Sequence, residues 1–515
     1  MGTIQKKISV LLFTLCVTAL SAQVVIPSEV NLVDGTLSPW SDLKPGDTLL
    51  LAAGQREHIT FRNFIGTESE PIVLTNEGDV QVVSSIGYAI SFQNIHHFKF
   101  EADQLGGIDI QAPNGVAIGI GEGSDNYTLD RISMHNTSGP GILAKSDPEC
   151  SGAYTRDSFF QEFAAIRDCW IYDTGTEGIY FGSTFYHGQM KNCGGTEVLL
   201  FPHLIGQVEI RNNRIERTGW DGIQVASVLN AIVEDNLIYF DSQAKVNYQM
   251  SGILFGNGTS GIISRNLVMD GEGMGIMCFG NGNQQVVNNC IVNAGKSAHF
   301  GGGVALYFDD KGQDVAGGNF FAHNTIVNPS KAFFRYFKQY PEFMPDTVLN
   351  NGFFGDAGDG IAIQDEPLEV NQGNVFSPED NVLFVVADQP QFLRPDIIAQ
   401  QGESIAELDL VSSDYYGKQR PVQQPDAGAF QMIDSGIEEY EGSLKLRDNK
   451  AWIELPHSDG AELMIVSTTG QTIYQKAVSH GDRIQLSGLN IAVEGCWVSL
   501  RRHGVPIQTR YFIPR

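Results

Sequence analysis

The 515-residue sequence predicts an all-β chain: a right-handed parallel β-helix followed by a small antiparallel β-sandwich. Three observations carry this. From about residue 59 to 430 the chain is a succession of short Val-, Ile- and Phe-rich runs separated by Gly, Asn and Asp, without helical periodicity. Asn213, Asn236, Asn266, Asn289, Asn324 and Asn351 each precede a hydrophobic pair or triplet, at spacings of 23, 30, 23, 35 and 27 residues, a repeat of constant minimum with loop insertions. Beyond a polar segment at 433–441 the pattern changes to alternating strands.

Taken in order, the chain opens with Lys6 and Lys7, an apolar run from Ile8 to Leu15, and small Ala19, Ser21 and Ala22 before Gln23. This reads as an export signal over residues 1–22, with a secreted or cell-surface product. The apolar run is shorter than the roughly 20 residues that span a bilayer, so no membrane span is expected. The solenoid is expected over 23–432, with a cap at 24–58 in which Lys44-Pro45-Gly46-Asp47 forms a turn. Each repeat holds strands too short to bury a face alone, so stacked repeats must share one core. The repeated asparagines suit tight bends: Asn tolerates a left-handed backbone, and its amide can bond the asparagines above and below. They are read as structural. The GxGxxG match at Gly256–Gly261 is followed by strand-like Ile262-Ile263 and no helix, so it is a solenoid turn and no dinucleotide site.

A net charge of −27 argues against nucleic acid and anionic membrane as partners. It argues more weakly against a polyanionic glycan. Of seven cysteines, Cys169 and Cys290 hold the same place in repeats too far apart for a bond. Cys150 and Cys193 fall in two irregular insertions that could meet, and are the one pair entertained. CxxC and HExxH spacings are absent, so zinc has no support.

The chemistry is sought where repeats carry acids. Glu177-Gly178-Ile179, Asp221-Gly222-Ile223, Ser251-Gly252-Ile253 and Met274-Gly275-Ile276 align on one phrase. Adjacent parallel strands lie about 4.8 Å apart, which makes Glu177 and Asp221 neighbours. Two close carboxylates raise one pKa or recruit a cation. They are therefore the candidate acid and base or nucleophile of glycoside hydrolysis. With Asp173 they are alternatively a Ca2+ site, and each could instead simply accept backbone N–H bonds before its glycine. Loops on a solenoid gather binding residues, so Tyr186, His187 and Lys191 in the 183–207 insertion, with Arg217 and Tyr248, are candidate substrate contacts. Trp220 would offer a flat face for a sugar, or ordinary packing. His299, Asp309 and Asp310 form a further polar cluster, read as a solvated loop.

Two stretches carry resemblances. Asp414-Tyr415-Tyr416-Gly417-Lys418-Gln419-Arg420 with Pro425-Asp426-Ala427-Gly428-Ala429-Phe430-Gln431 resembles the closing signature of many bacterial right-handed β-helix proteins. The opening Lys44-Pro45-Gly46-Asp47, Gly66-Thr67 and Pro71-Ile72 is similar to the start of chondroitinase-B-like and alginate-lyase-like β-helices. This pectate-lyase-like resemblance covers about 40–432. It implies a polysaccharide or oligosaccharide partner and leaves three readings: glycoside hydrolase, polysaccharide lyase using Lys191, Arg217 or a Tyr, or non-enzymatic glycan-binding surface protein. The characteristic Lys and Arg motifs of the lyases have no counterpart here. Residues 442–515, with Thr469-Gly470 and Gly495, resemble the C-terminal sorting domain of type IX secretion in Bacteroidetes, although Cys496-Trp497 stands where that family has Tyr. The resemblance implies the secretion machinery as a partner. A small carbohydrate-binding or spacer module is the alternative.

Overall fold

The computed structural model describes residues 22–280, 282–297, 303–310, 317–340, 344–358, 360–365 and 370–378, shorter segments between 383 and 430, and seven strands within 445–512. The export signal up to residue 21, the 433–441 segment and His299 lie outside the described residues. Among the described residues no helix is long and apolar enough to cross a membrane.

The expected solenoid is present: among the described residues 34 strands stack in parallel, each pairing with its counterpart in the neighbouring coil or coils. Three faces result. The first includes Trp170–Thr174, Arg214–Thr218, Leu237–Tyr239 and Leu267–Met269. The second includes Phe160–Arg167, Leu204–Arg211 and Val228–Glu234. The third includes Val116–Gly121, Ile142–Ala144, Ile179–Gly182, Ile223–Ala226 and Ser251–Phe255. In the earliest coils Thr48–Arg56, Ile72–Val83 and Tyr88–Glu101 run round a corner as single long strands.

Period-two alternation explains the core. On the third face Ile118, Ile142, Ile179, Ile223, Ile253 and Ile276 stand in register and point inward, all fully buried. Branched side chains repeated in one column stack along the tube. The coils at its N-terminal end are filled instead by rings, Phe61 on Phe92 at 5.5 Å and Phe98 on Tyr127 at 5.4 Å.

The asparagine ladder forms as expected. The backbone N–H and side-chain amide of Asn236 both donate to Asn266 Oδ1 at 3.0 Å, and Asn266 does the same to Asn289. The series runs from Asn213 to Asn374. Its first rung is the Cys169 N–H, which donates to Asn213 Oδ1, and Ile132 precedes Cys169 in that column. One detail is corrected: the left-handed residue is the one before each ladder position, Asn212, Asp235, Arg265, Asn288, His323 and Asn350, with φ between 52° and 58°. The sharp bend is made there, which frees the ladder side chain to point into the turn.

The closing signature lies along the outside of the first face. Ala429 and Phe430 pack on Leu267, Cys290, Val327 and Phe354. The buried Arg420 guanidinium holds the segment down, donating to Asn288 Oδ1 at 2.9 Å and the Gly428 carbonyl at 2.8 Å. In the C-terminal region, Ala461–Ser467 pairs antiparallel with Thr472–Val478 and Cys496–Arg502, and Trp452–Leu455 pairs antiparallel with Asp482–Gln485.

Candidate functional site

Glu177, Asp221, Ser251 and Met274 do share one column, at the corner between the first and third faces. The Gly178 N–H bonds the Asp221 carbonyl, the Gly222 N–H bonds the Ser251 carbonyl, and Ser251 pairs with Met274. The corner is closed, however. Glu177 is 2% exposed and Asp221 is wholly buried. Ser251 Oγ donates to Asp221 Oδ1 at 2.6 Å, while Asp221 Oδ2 has no partner. Burial raises the Asp221 carboxyl well above its ordinary range, and the charges of Glu177 and Asp241 add to this. Glu177 is raised by burial and drawn back by hydrogen bonds and by Lys145. Asp221 is shut off from solvent and Glu177 nearly so, and an exposed acid–base pair at this column is not what the chain builds.

The remaining sequence candidates are dispersed. Asp173 and Arg217 lie on the first face, joined by two hydrogen bonds of 2.6 and 3.2 Å. A carboxylate so paired is not offered to a cation. Among the described residues no group of three or more His, Cys, Asp and Glu is placed to hold a metal, which corrects the Ca2+ expectation for Asp173 with Glu177 and Asp221. Trp220 is half-buried at the closed corner, its carbonyl accepting the Ser242 N–H. Tyr248, in the 241–250 loop, is 68% exposed. Tyr186 is only 8% exposed, its ring under the Arg156 guanidinium at 4.4 Å, so it is packing rather than a contact surface. His187 beside it is exposed. Asp310 is no solvated loop residue: it is buried and accepts the backbone N–H groups of Gln339 and Tyr340.

An open cleft of about 600 Å³ lies elsewhere, on the outer surface of the third face in coils before the ladder. Ser91, Gly119 and Leu143, which succeed one another across three strands, form its floor. Its two aromatic walls rest on glycines. The Tyr88 ring lies over Gly119, where any Cβ would come within 2.5 Å of it, and Tyr154 lies against Gly123, whose φ of +76° favours glycine on its own account. Gln93, Glu122, Lys145 and Glu149 complete the lining, with Asp147 and Lys191 at the rim of the insertions.

Two insertions at the same corner of successive coils build the wall. One is 145–159. The other is the hairpin Gln189–Cys193 with Thr196–Leu200. The Cys150–Cys193 disulfide joins them, as the sequence allowed. Lys191 Nζ donates to the Pro148 carbonyl at 2.7 Å, and the Arg156 N–H donates to the Phe201 carbonyl. Lys191 therefore does reach a cleft, though partly as a clamp. Beneath the wall His203 is buried, and burial lowers its imidazole to about 4, so it is neutral at pH 7. Lys145 pairs with Asp147 at 3.1 Å. Glu122 and Glu149 have no ion pair among the described residues, and the charges of both raise the Tyr154 phenol, after burial. Sequence reasoning missed Tyr88, Gln93 and Glu122 because they precede the repeated phrase. The Glu122-Gly123 bend, one coil before the 145–159 insertion at the same corner, was the available signal.

A family model described as a right handed beta helix region matches residues 189–391. No curated protein is recognisably similar in sequence. Among solved structures the chain is similar to a GH136 lacto-N-biosidase from Eubacterium ramulus, at 13% identity over 69% of this chain and 67% of that one, TM-score 0.45. It is also similar to an alginate lyase from Paenibacillus sp. str. FPU-7, at 16% identity over 70% and 98%, TM-score 0.38. The pectate lyase Pel9A matches at 12% identity over 81% and 97%, TM-score 0.41. Likeness at this level transfers neither substrate nor mechanism. With its parallel coils and continuous ladder, the body of the chain is a right-handed parallel β-helix.

Proposed function

We propose that the chain is an exported glycan-acting protein that holds an oligosaccharide between Tyr88 and Tyr154 and hydrolyses a glycosidic bond with Glu122 and Glu149. The observation that carries this is the stapled cleft itself. It is a preformed concavity with two aromatic walls and a few convergent polar groups, the composition of a small-ligand site. Glu122 and Glu149 are the carboxylates of that cleft not committed to an ion pair, and they act electrostatically on the same phenol. Glycoside hydrolysis needs two carboxyl groups flanking one bond, one giving a proton to the leaving oxygen and the other attacking or activating water.

The lyase alternative requires a base near the sugar carboxylate. Tyr154 is a poor one because its phenol is raised, Lys145 is paired to Asp147, and Lys191 is spent on Pro148. A disulfide between the two insertions fits an oxidising compartment, which supports export through the 1–22 signal, with 442–515 as the address read by the secretion machinery.

A panel of oligosaccharides, read for new reducing ends and separately for the absorbance of unsaturated products, tests the assignment. Glu122→Gln and Glu149→Gln should each lower hydrolysis by about 10²-fold or more. Unchanged rates in both variants overturn the catalytic roles. Binding without any product makes the protein a glycan-binding module, and unsaturated ends make it a lyase.

A further inference from the structure

The charge of the cleft bears on which glycans it accepts, an inference resting on the reading of the cleft as the saccharide site. Its ionisable lining comprises Glu122, Asp147 and Glu149 against Lys145 and Lys191, three carboxylates to two ammonium groups. Pairing within the cleft reduces this set. Lys145 and Asp147 neutralise one another at 3.1 Å. Lys191 Nζ donates a hydrogen bond to the Pro148 carbonyl at 2.7 Å, which fixes the ammonium at the wall and leaves its charge intact. Glu149 accepts a hydrogen bond from Ser151 Oγ at 3.0 Å, which leaves its charge intact. The balance facing the cleft is thus negative, Glu122 and Glu149 beside Tyr154 against the one ammonium of Lys191. It lies within a chain of net charge −27, whose field adds to it.

We infer that the cleft selects saccharides carrying a protonated amine, hexosamine units with a free amino group, and rejects uronates. An ammonium group beside Glu122 and Glu149 gains charge-assisted hydrogen bonds. A uronate carboxylate in the same place meets two like charges against the single Lys191 ammonium held at the wall, which is discrimination by repulsion as much as by attraction. The two aromatic walls serve any sugar ring and do not distinguish these classes, so the carboxylates decide.

The test is titration calorimetry of the full chain with three oligomers of equal length: a glucosamine oligomer, its fully N-acetylated neutral counterpart, and a uronic acid oligomer. It is run near pH 5.5, where ordinary carboxylates are ionised. The glucosamine oligomer should bind roughly tenfold tighter than the neutral one, and the uronate more weakly still. Raising the salt should compress the series. In a Glu122→Gln, Glu149→Gln double variant, with melting temperature checked against the parent, the ratio of glucosamine-oligomer to neutral-oligomer affinity should fall to about one, whatever the change in either affinity alone. Equal binding of all three, or tighter binding of the uronate, overturns the inference and leaves the cleft as a saccharide site. An amine preference that survives the double variant also overturns it. If none of the three binds, the cleft reading falls and the inference falls with it.

Discussion

Ser251 Oγ donates to Asp221 Oδ1 at 2.6 Å across one coil step, deep inside the corner where Asp221 Oδ2 is left without a partner. The bond is the direct polar support of a carboxyl that burial holds above its ordinary pKa. Ser251→Ala should destabilise the chain by about 1–3 kcal/mol, the cost of leaving a buried acceptor unmet, as measured by urea unfolding. Asp221→Asn keeps the shape and should leave cleft activity within a few-fold of the parent. A hundredfold loss in a variant of unchanged stability would return Asp221 to the chemistry.

Asp241, one corner residue further on, is also buried, and its carboxyl is raised to about 7, burial being the main cause. The folded state therefore holds this proton more tightly than the unfolded chain does. Its contribution to stability is complete below about pH 4, falls by up to about 1.4 kcal/mol per pH unit as pH climbs, and is gone above about 7. Asp241→Asn should flatten the melting-temperature profile between pH 4 and 7. An identical slope in parent and variant would show that Asp241 does not set it.

The ladder predicts position-dependent costs. Asn266 has partners on both sides, accepting two bonds from Asn236 and donating to Asn289 and the Val233 carbonyl. Asn374 is half-buried at the far end. Asn266→Ala should cost about 2–4 kcal/mol and Asn374→Ala no more than about half of that, by denaturant midpoint. Equal costs would mean that the rungs are not coupled through the stack.

Removing the staple should loosen the cleft before it unfolds the solenoid. A Cys150→Ser, Cys193→Ser double variant opens a link spanning 43 residues, worth about 2–4 kcal/mol on a chain-entropy account. Oligosaccharide affinity should fall several-fold, because the wall must then be ordered on binding. Calorimetry on the double variant and on reduced parent protein should give the same result. Undiminished affinity in both would show that the wall holds without the bond.

Much of the architecture was legible because a solenoid writes its geometry into spacing. Residues that recur before the same hydrophobic pair must stack, so the neighbours of Asn236 and the shared column of Glu177 and Asp221 could be read directly. What spacing does not encode is cover. Asp221 is closed off by its corner, and nothing in the phrase Asp-Gly-Ile distinguishes a roofed carboxylate from an open one. The same limit hid the cleft. Tyr88 and Glu122 belong to coils that lack the ladder phrase, and they acquire a role only because insertions 145–159 and 183–203, far along the chain, fold back beside them. Arg217 was legible as a charged residue, but its bidentate bond to Asp173 follows from two left-handed bends brought into register, at φ of 51° and 53°.

The amide ladder starts at Cys169 and runs to Asn374, whereas the floor of the cleft is built from coils before it. The solenoid is thus a composite of two segments with different coupling between neighbours. In the laddered segment each coil is tied to the next by repeated buried hydrogen bonds, and opening one should propagate to many, so it should exchange its amide hydrogens as one block. In the earlier segment coils are joined by strand pairing, ring contacts and shorter side-chain series such as Asp34–Asn63–Asn94, and can open over shorter distances. The cleft sits on the compliant side of that seam, and the Cys150–Cys193 bond crosses it, fastening the wall of the cleft to a hairpin that springs from the first laddered coil. Rigidity is borrowed from one segment to shape a surface on the other.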